Sequence, residues 1–382
     1  MIAQRYYFDQ ESVTTGNNVD VLLGGEEIFP ALLKLIRNAK YRVYLQIYEF
    51  INDQMGKTVA DELIAAAKRG CDVRLIYDHW GSALSSNRFF EAMKKQGVKV
   101  KCYHSFLSKD VGKKYFKRNH RKTLIVDSSH AMLGGFNIAD KYAKEWRLGG
   151  IHDFSLLLDG PVCQQIYHYF DEVWQAKKLK FPRLKGTKKE RRKQARKFEG
   201  QQDVRVQGNN HFTYRWRIRR DFLHAFKQAK ESIWIINPYF IPDKAIIKHL
   251  IKAVDRGVDV KLIVPEKSDV RFVDYGSRVV LHKLINEGIK VYHWPGFSHG
   301  KAICVDRVWL SLGSYNFDYR SLLHNLELVA HTSDKQCVER FVQFYENAVS
   351  EICQKQDDQS WQKMSIIQKL LSMLFYRFRA FL

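Results

Sequence analysis

The chain repeats itself, and the repeat limits what it can fold into. Val43-Tyr44-Leu45-Gln46-Ile47-Tyr48 leads through a helical stretch to Arg69-Gly70-Cys71-Asp72-Val73-Arg74-Leu75-Ile76. Further on, Ile233-Trp234-Ile235-Ile236 leads likewise to Arg256-Gly257-Val258-Asp259-Val260-Lys261-Leu262-Ile263. Each unit reads as strand, helix, glycine turn, strand. The helices predicted at 56–68 and 244–255 carry Val59, Leu63 and Ala66, then Ile247, Leu250, Ile251 and Val254, at helical spacing. A second helix and strand follow in each unit, at 88–96 with 98–103 and at 277–286 with 289–293, with Gly97 or Gly288 before the strand. The copies run over roughly 26–160 and 203–335 of 382 residues, enough for two cores. Strand–helix alternation predicts an α/β fold with largely parallel or mixed sheets.

Each copy then carries the same constellation. His120-Arg121-Lys122 is followed by Asp127 and by Gly134-Gly135-Phe136-Asn137. His299-Gly300-Lys301 is followed by Asp306 and by Gly313-Ser314-Tyr315-Asn316. From His to Asn is 17 positions in both. A lone His-x-Lys carries little information, but two copies at identical spacing inside a wider duplication carry a great deal. Residues i and i+2 of a strand share a face, so each His is predicted beside its Lys. Under a pseudo-twofold, two His, two Lys and two Asn would surround one cleft. Such a set suits a phosphodiester. Lys and Asn meet the non-bridging oxygens, one imidazole attacks phosphorus, and the other protonates the leaving oxygen. Lys is a poor metal ligand at neutral pH, which argues against a metal cluster here. Asp127 and Asp306 close each motif at a strand end, where a structural role is expected.

These motifs resemble the phospholipase D superfamily, whose repeated signature is His-x-Lys-x4-Asp with a downstream Gly-x-x-Asn. The resemblance covers about 20–350 and is greatest to bacterial cardiolipin synthases of the shorter type without N-terminal membrane helices. Asn237-Pro238-Tyr239-Phe240-Ile241-Pro242-Asp243 and Asn316-Phe317-Asp318-Tyr319-Arg320-Ser321 support it. It implies two tandem α/β/α sandwich domains with mixed sheets, related by a pseudo-twofold, with the active site at their interface. The expected division is 1–176, a basic linker at 177–202, 203–355, and an amphipathic C-terminal helix at 356–382. The resemblance makes His120 the nucleophile and His299 the general acid and then base. It makes Asp153 and Glu327 the acids that orient the imidazoles, a role in which a carboxylate fixes the tautomer and stabilises the imidazolium. The catalytic set by this motif is His120, Lys122, Asp127, Asp153, His299, Lys301, Asp306 and Glu327. The phosphate-binding set is Lys122, Asn137, Lys301, Ser314 and Asn316. The second copy has Ser314 where the first has Gly135, so one half alone would offer that hydroxyl. The implied reaction transfers a phosphatidyl group between phosphatidylglycerol molecules, with no metal or cofactor. Water as acceptor would give phosphatidic acid, and the motif does not choose between the two.

Charge sets the expected partners. Lys and Arg total 63 against 41 Asp and Glu, a net +22. Half of that excess lies between Lys177 and Lys197, with twelve basic residues and one acid. Such a surface attracts anionic lipid or nucleic acid. No uncharged run exceeds the twelve residues of 128–139, too short for a spanning helix, and the N-terminus has no apolar run like a signal peptide. The six scattered cysteines read as reduced thiols. From Ser360 to Leu382 there are four basic residues and no acids. Gln362, Ser365, Lys369, Ser372, Tyr376 and Arg379 form a polar stripe opposite Ile367, Leu370, Leu371, Leu374, Phe378 and Phe381. Such a helix either lies in an anionic membrane interface or docks on protein. The favoured reading is a lipid-processing transferase held peripherally on the cytoplasmic face of the bacterial inner membrane. A nuclease of the same superfamily and a non-catalytic membrane scaffold are the competing classes.

Overall fold

The computed structural model describes residues 13–104, 117–175, 202–210 and 214–379. The basic stretch expected as a linker, with its +11, lies outside these residues, apart from Gln202.

The two copies build matching seven-stranded sheets. The first contains β1 (Thr14–Leu23), β2 (Arg42–Ile47), β3 (Asp72–Asp78), β4 (Lys99–Tyr103), β6 (Thr123–Val126), β7 (His130–Gly134) and β8 (Phe154–Asp159). A short β5 (Arg118–Asn119) stands apart from it. The second contains β9 (Gln202–Gly208), β10 (Ser232–Ile236), β11 (Asp259–Pro265), β12 (Lys290–Trp294), β13 (Ala302–Val305), β14 (Trp309–Gly313) and β16 (Leu328–Thr332). The orders β4-β3-β2-β6-β7-β8-β1 and β12-β11-β10-β13-β14-β16-β9 are the same arrangement. β1 and β9 pair antiparallel, so the sheets join edge to edge. A small strand, β17 (Gln354–Lys355), extends the second copy's outer edge. Within each copy the first two β–α–β steps are parallel and the following strands antiparallel, which gives the expected mixed sheet.

The local chemistry explains these elements. Helix α1 is Gly25–Asn38 and α2 is Gln54–Lys68, where Asp53 caps the Gly56 N–H. The equivalent helix in the second copy is capped by Asp243 on Ala245 N–H. Val59, Leu63 and Ala66 are buried, as are Ile247 and Leu250. Gly70 and Gly257 have φ of 92° and 86°, left-handed values that suit glycine at the turn into the next strand. Helix α3 is Asn87–Lys95, α4 Asp140–Ala143, α5 Val162–Trp174, α6 Arg217–Gln228, α7 Lys244–Asp255 and α8 Arg271–Asn286. The last of these begins six residues before the sequence pattern starts at Ser277. It is followed by α9 (Tyr319–Leu323), α10 (Lys335–Asn347), α11 (Gln359–Gln362) and α12 (Ile366–Arg377).

Each copy buries its own core on the outer sheet face. A third core runs under the joined sheets between α5 and α10, and includes Phe154, Leu156, Phe170, Val204, Leu312 and Phe341. This shared core belongs to neither copy alone, and it holds the two His-x-Lys motifs in fixed relation.

Candidate active site

Each motif enters its sheet at the C-terminal ends of the parallel strands. Thr123 pairs with Gln46 at the end of β2, and Ala302 pairs with Ile236 at the end of β10. The residues just before β6 and β13 therefore stand at that edge, against the opposite copy. β5 pairs parallel with β15 (Asn325–Leu326), and His120 N–H donates to Leu326 O at 3.0 Å. On the other side Ser298 bridges His152, and His299 N–H donates to His152 O at 2.8 Å. Backbone pairing across the interface thus sets the position of both imidazoles.

The carboxylates are exchanged between copies. His120 Nδ1 lies 3.0 Å from both Oε1 and Oε2 of Glu327, which belongs to the second copy. His299 Nδ1 lies 2.7 Å from Asp153 Oδ2, which belongs to the first. His120 Nδ1 also lies 3.1 Å from Ser314 O. Its neighbours are all acceptors, so Nδ1 carries the proton and Nε2 keeps a free lone pair. All four side chains are buried.

The two pairs differ electrostatically. Burial alone would raise Glu327, but His120, Lys122 and the Ser314 hydroxyl outweigh it and hold its carboxyl below the usual glutamate value. Glu327 also accepts from Ser321 Oγ at 2.7 Å and Asn325 Nδ2 at 3.2 Å. Asp153 accepts from its neighbour's Phe154 N–H at 2.7 Å, and burial pushes it up to about 7. Burial also disfavours the imidazolium on both rings, bringing His120 down to about 4 and His299 well below its ordinary value.

Lys122 and Lys301 are buried beside their histidines. Each ammonium donates to the backbone carbonyl of its own motif His, Lys122 at 2.8 Å. Burial pushes Lys122 well below the ordinary lysine value and Lys301 down to about 8. The charge of Lys301 further depresses both Lys122 and His299, so the two halves share one electrostatic site. Burial is the main cost on both lysine charges, and an anion bound between them would offset it. Tyr48 packs edge-on to His120 with ring centroids 5.1 Å apart, and Tyr142 to His299 at 5.5 Å. Among the described residues no group of three His, Cys, Asp or Glu side chains is placed to hold a metal ion.

Three expectations need correction. Asp127 and Asp306 lie at the far ends of their strands, away from the imidazoles. Asp127 accepts from Lys40, Tyr41 and Arg42 N–H, and Asp306 from Lys230, Glu231 and Ser232 N–H. Each sits at positive φ, 53° and 51°, and clamps the turn that launches the first parallel strand. The Ser314 hydroxyl donates to Glu327 and accepts from Leu328 N–H, so its bonds serve the carboxylate rather than a phosphate. Gly135 lacks that hydroxyl because a Cβ there would collide with the Asp153 carboxyl. Asn137 is also committed within the protein, accepting from Glu49 N–H and donating to Tyr142 OH at 2.9 Å. Asn316 is buried, and its Oδ1 has no hydrogen-bond partner.

Arg121, the middle residue of the first motif, escaped the sequence argument. It is fully buried and spans the interface. It donates to Glu327 O, Tyr169 O and Asn209 O at 3.3, 3.0 and 2.7 Å and pairs with Glu172 at 3.1 Å. The second motif has Gly300 there, because Phe154 fills the space a side chain would need. The mismatch of Arg and Gly at one motif position was the available signal. Asn209 was also missed, and its Oδ1 accepts from Glu327 N–H at 2.6 Å.

Residues 32–174 and 222–349 match the family model described as "Cardiolipin synthase, PLD-like domain". The chain belongs to this family. Among curated relatives it is 32% identical over 340 residues to cardiolipin synthase 2 of Bacillus anthracis, covering 86% of this chain and 64% of that protein. It is 28% identical over 356 residues to a cardiolipin synthase of Staphylococcus aureus, covering 90% and 70%. The chain therefore spans about two thirds of the length of the relatives it matches. The fold resembles a crystal structure of phosphatidylserine synthase from Haemophilus influenzae with a TM-score of 0.73 and 15% identity, covering 99% of this chain and 97% of that one. The expected pair of phospholipase D-like units is thus the architecture of the family. No helix among the described residues is long and apolar enough to cross a membrane.

Proposed function

We propose that the chain is a phosphatidyltransferase of the cardiolipin synthase type, acting on phosphatidylglycerol through a phosphohistidine. The observation that carries this reading is the crossed pair of His–carboxylate contacts, each with a buried lysine beside it. His120 Nε2 attacks phosphorus, the P–O bond to the glycerol headgroup breaks, and His299 Nε2 gives its proton to the departing glycerol oxygen while its Nδ1 takes the proton of the Asp153 carboxyl. The ring of His120 becomes cationic, and Glu327 balances it. Lys122 and Lys301 balance the phosphoryl oxygens, with Asn316 as a further donor. His299 then takes the proton of a second phosphatidylglycerol hydroxyl, whose oxygen displaces His120 and forms the second phosphodiester of cardiolipin. Water entering at this step would yield phosphatidic acid from the same residues.

The two carboxylates fit different parts. Glu327 is ionised and firmly held, which suits constant support of a nucleophile. Asp153, pushed up to about 7, sits near the protonation balance that a proton-shuttling partner needs. We assign the chain to the cytoplasmic face of the bacterial inner membrane as a peripheral protein with no cofactor, organised as two phospholipase D-like units, 1–176 and 203–355, with a C-terminal segment at 356–382.

The test is product analysis. Purified chain with EDTA is incubated with phosphatidylglycerol vesicles, and the lipids are read by mass spectrometry beside His120→Ala. Cardiolipin and free glycerol, absent with the variant, are expected. Phosphatidic acid alone would make the protein a hydrolase. No lipid turnover, with cleavage of a nucleic-acid phosphodiester, would overturn the lipid reading.

A further inference from the structure

The C-terminal helix lies the wrong way round for a helix that merely completes a core. Ser372 on its polar stripe is fully buried, and Lys369, Tyr376 and Arg379 are partly covered. Phe375 stacks on Phe272 and Tyr275 of α8 at 5.0 and 5.8 Å between centroids. Ile366, Ile367, Leu370, Met373, Leu374 and Phe378 face outward, each about half exposed or more. They are six of the fourteen large apolar side chains exposed among the described residues. An apolar stripe of this density on one short helix is a binding surface rather than scatter.

Charge and position identify the occupant. The helix and its flanks carry no acid, and of their four basic residues Lys363 and Arg377 are exposed beside the apolar face, the pattern of a helix resting in an anionic lipid interface. Arg379 reaches Tyr319 OH at 3.4 Å, three residues beyond Asn316, so the end of the helix sits at the active-site loop. The other exposed apolar side chains include Trp80 and Leu84 after β3 and Val270 and Phe272 after β11. These residues, with Phe272 in the first turn of α8, follow the C-terminal ends of the parallel strands, the edge where His120 and His299 stand. The apolar rim therefore lies at the strand-end edge where both histidines stand, and the end of α12 reaches that edge at Tyr319.

We infer that α12 is the membrane-docking element: its outward apolar face enters the interface of an anionic bilayer and seats the active-site rim on the lipid surface. The inference rests on the phosphatidyltransferase reading for its purpose, but its geometry stands independently. It also gives the inward polar stripe a reason, since those groups bind the protein and leave the apolar side free for lipid.

The test uses the full chain carrying Ile367→Asp and Leu370→Asp. Losing two apolar contacts of about 1.5 kcal/mol each should weaken partition onto phosphatidylglycerol vesicles about a hundredfold. Turnover of vesicle lipid should fall with it, while turnover of short-chain phosphatidylglycerol below its micelle concentration stays within twofold. Unchanged vesicle binding overturns the inference. A wild-type dimer that becomes monomeric in the variant, with vesicle binding intact, makes the face a protein interface and also overturns it. Loss of vesicle binding in a chain that turns over neither lipid upholds the docking and refutes the transferase reading. If the double variant melts early, Leu374→Trp replaces it: added quenching by brominated lipid on anionic vesicles is expected, and its absence refutes the inference.

Discussion

Glu327→Gln isolates the charge behind the nucleophile. The amide keeps the shape and one acceptor but removes the negative charge. When His120 Nε2 bonds to phosphorus its ring becomes a cation, with both oxygens of Glu327 at 3.0 Å from Nδ1. At about 4 Å between charge centres and an effective dielectric of about 20, the lost attraction is about 4 kcal/mol. The ground state, with neutral His120, gains little from that charge, so the loss falls on the transition state. The expected fall in kcat is about a thousandfold, with KM nearly unchanged. The assay is single-turnover: mix with phosphatidylglycerol, quench into alkali, and follow the mass of the His120 peptide for the phosphatidyl adduct. Adduct formation should slow in step with kcat. A fall of less than tenfold in a variant that melts like the wild type would refute the argument, because His120 would then not develop charge against Glu327.

Three further outcomes follow from the same contacts. Arg121→Ala strands Glu172 and three interface carbonyls, and should cost about 3–5 kcal/mol in urea unfolding. Asp306→Ala removes the acceptor of three backbone N–H groups at positive φ; stability should fall by about 2–3 kcal/mol while kcat of the folded protein stays within about threefold. The carboxyl of Asp153 is raised by burial to about 7 from 3.8, so its contribution to stability is full below pH about 4 and is lost as pH rises towards 7. Asp153→Asn should therefore gain stability relative to wild type across that window, in melting curves taken at each pH, and a constant difference would refute it.

The duplication made the architecture legible. Two matched strand–helix–strand units with glycine at Gly70 and Gly257 fix the layers and the direction of the parallel strands, because that turn admits few alternatives. The motif residues were legible because His and Lys recur at one spacing in both copies, each pair standing just before its strand, Thr123–Val126 or Ala302–Val305. What sequence periodicity lacks is information across the interface. Nothing local says that Glu327 serves His120 rather than His299, since the pairing is set by β5 against β15 and by the β1–β9 seam, contacts between segments some two hundred residues apart. The same blindness misread Ser314, whose hydroxyl is claimed by a carboxylate thirteen residues away, whereas Asp127 and Asp306 take the structural part that their place at the strand end predicts. For α12 the pattern was right and the orientation was not in it: amphipathic spacing names two faces but not which one the rest of the protein covers.

The exchange of carboxylates also explains why the two copies are kept together. A single copy contains a His, a Lys and an acid, yet its acid bonds the imidazole of the other copy; each half holds the orienting group of the other. One half without a partner therefore has neither a fixed tautomer nor a balanced imidazolium. Joining the halves in one chain frees them to diverge, and divergence is visible at each place where twofold symmetry would force a compromise. Arg121 faces Gly300 across the pseudo-axis, Ser314 faces Gly135, and a firmly ionised Glu327 faces an Asp153 poised near neutrality. A symmetric site would give both histidines one proton affinity, whereas nucleophile and proton shuttle need different ones. In the proposed mechanism, the asymmetry of these three pairs gives the two histidines the different surroundings that a nucleophile and a proton shuttle require.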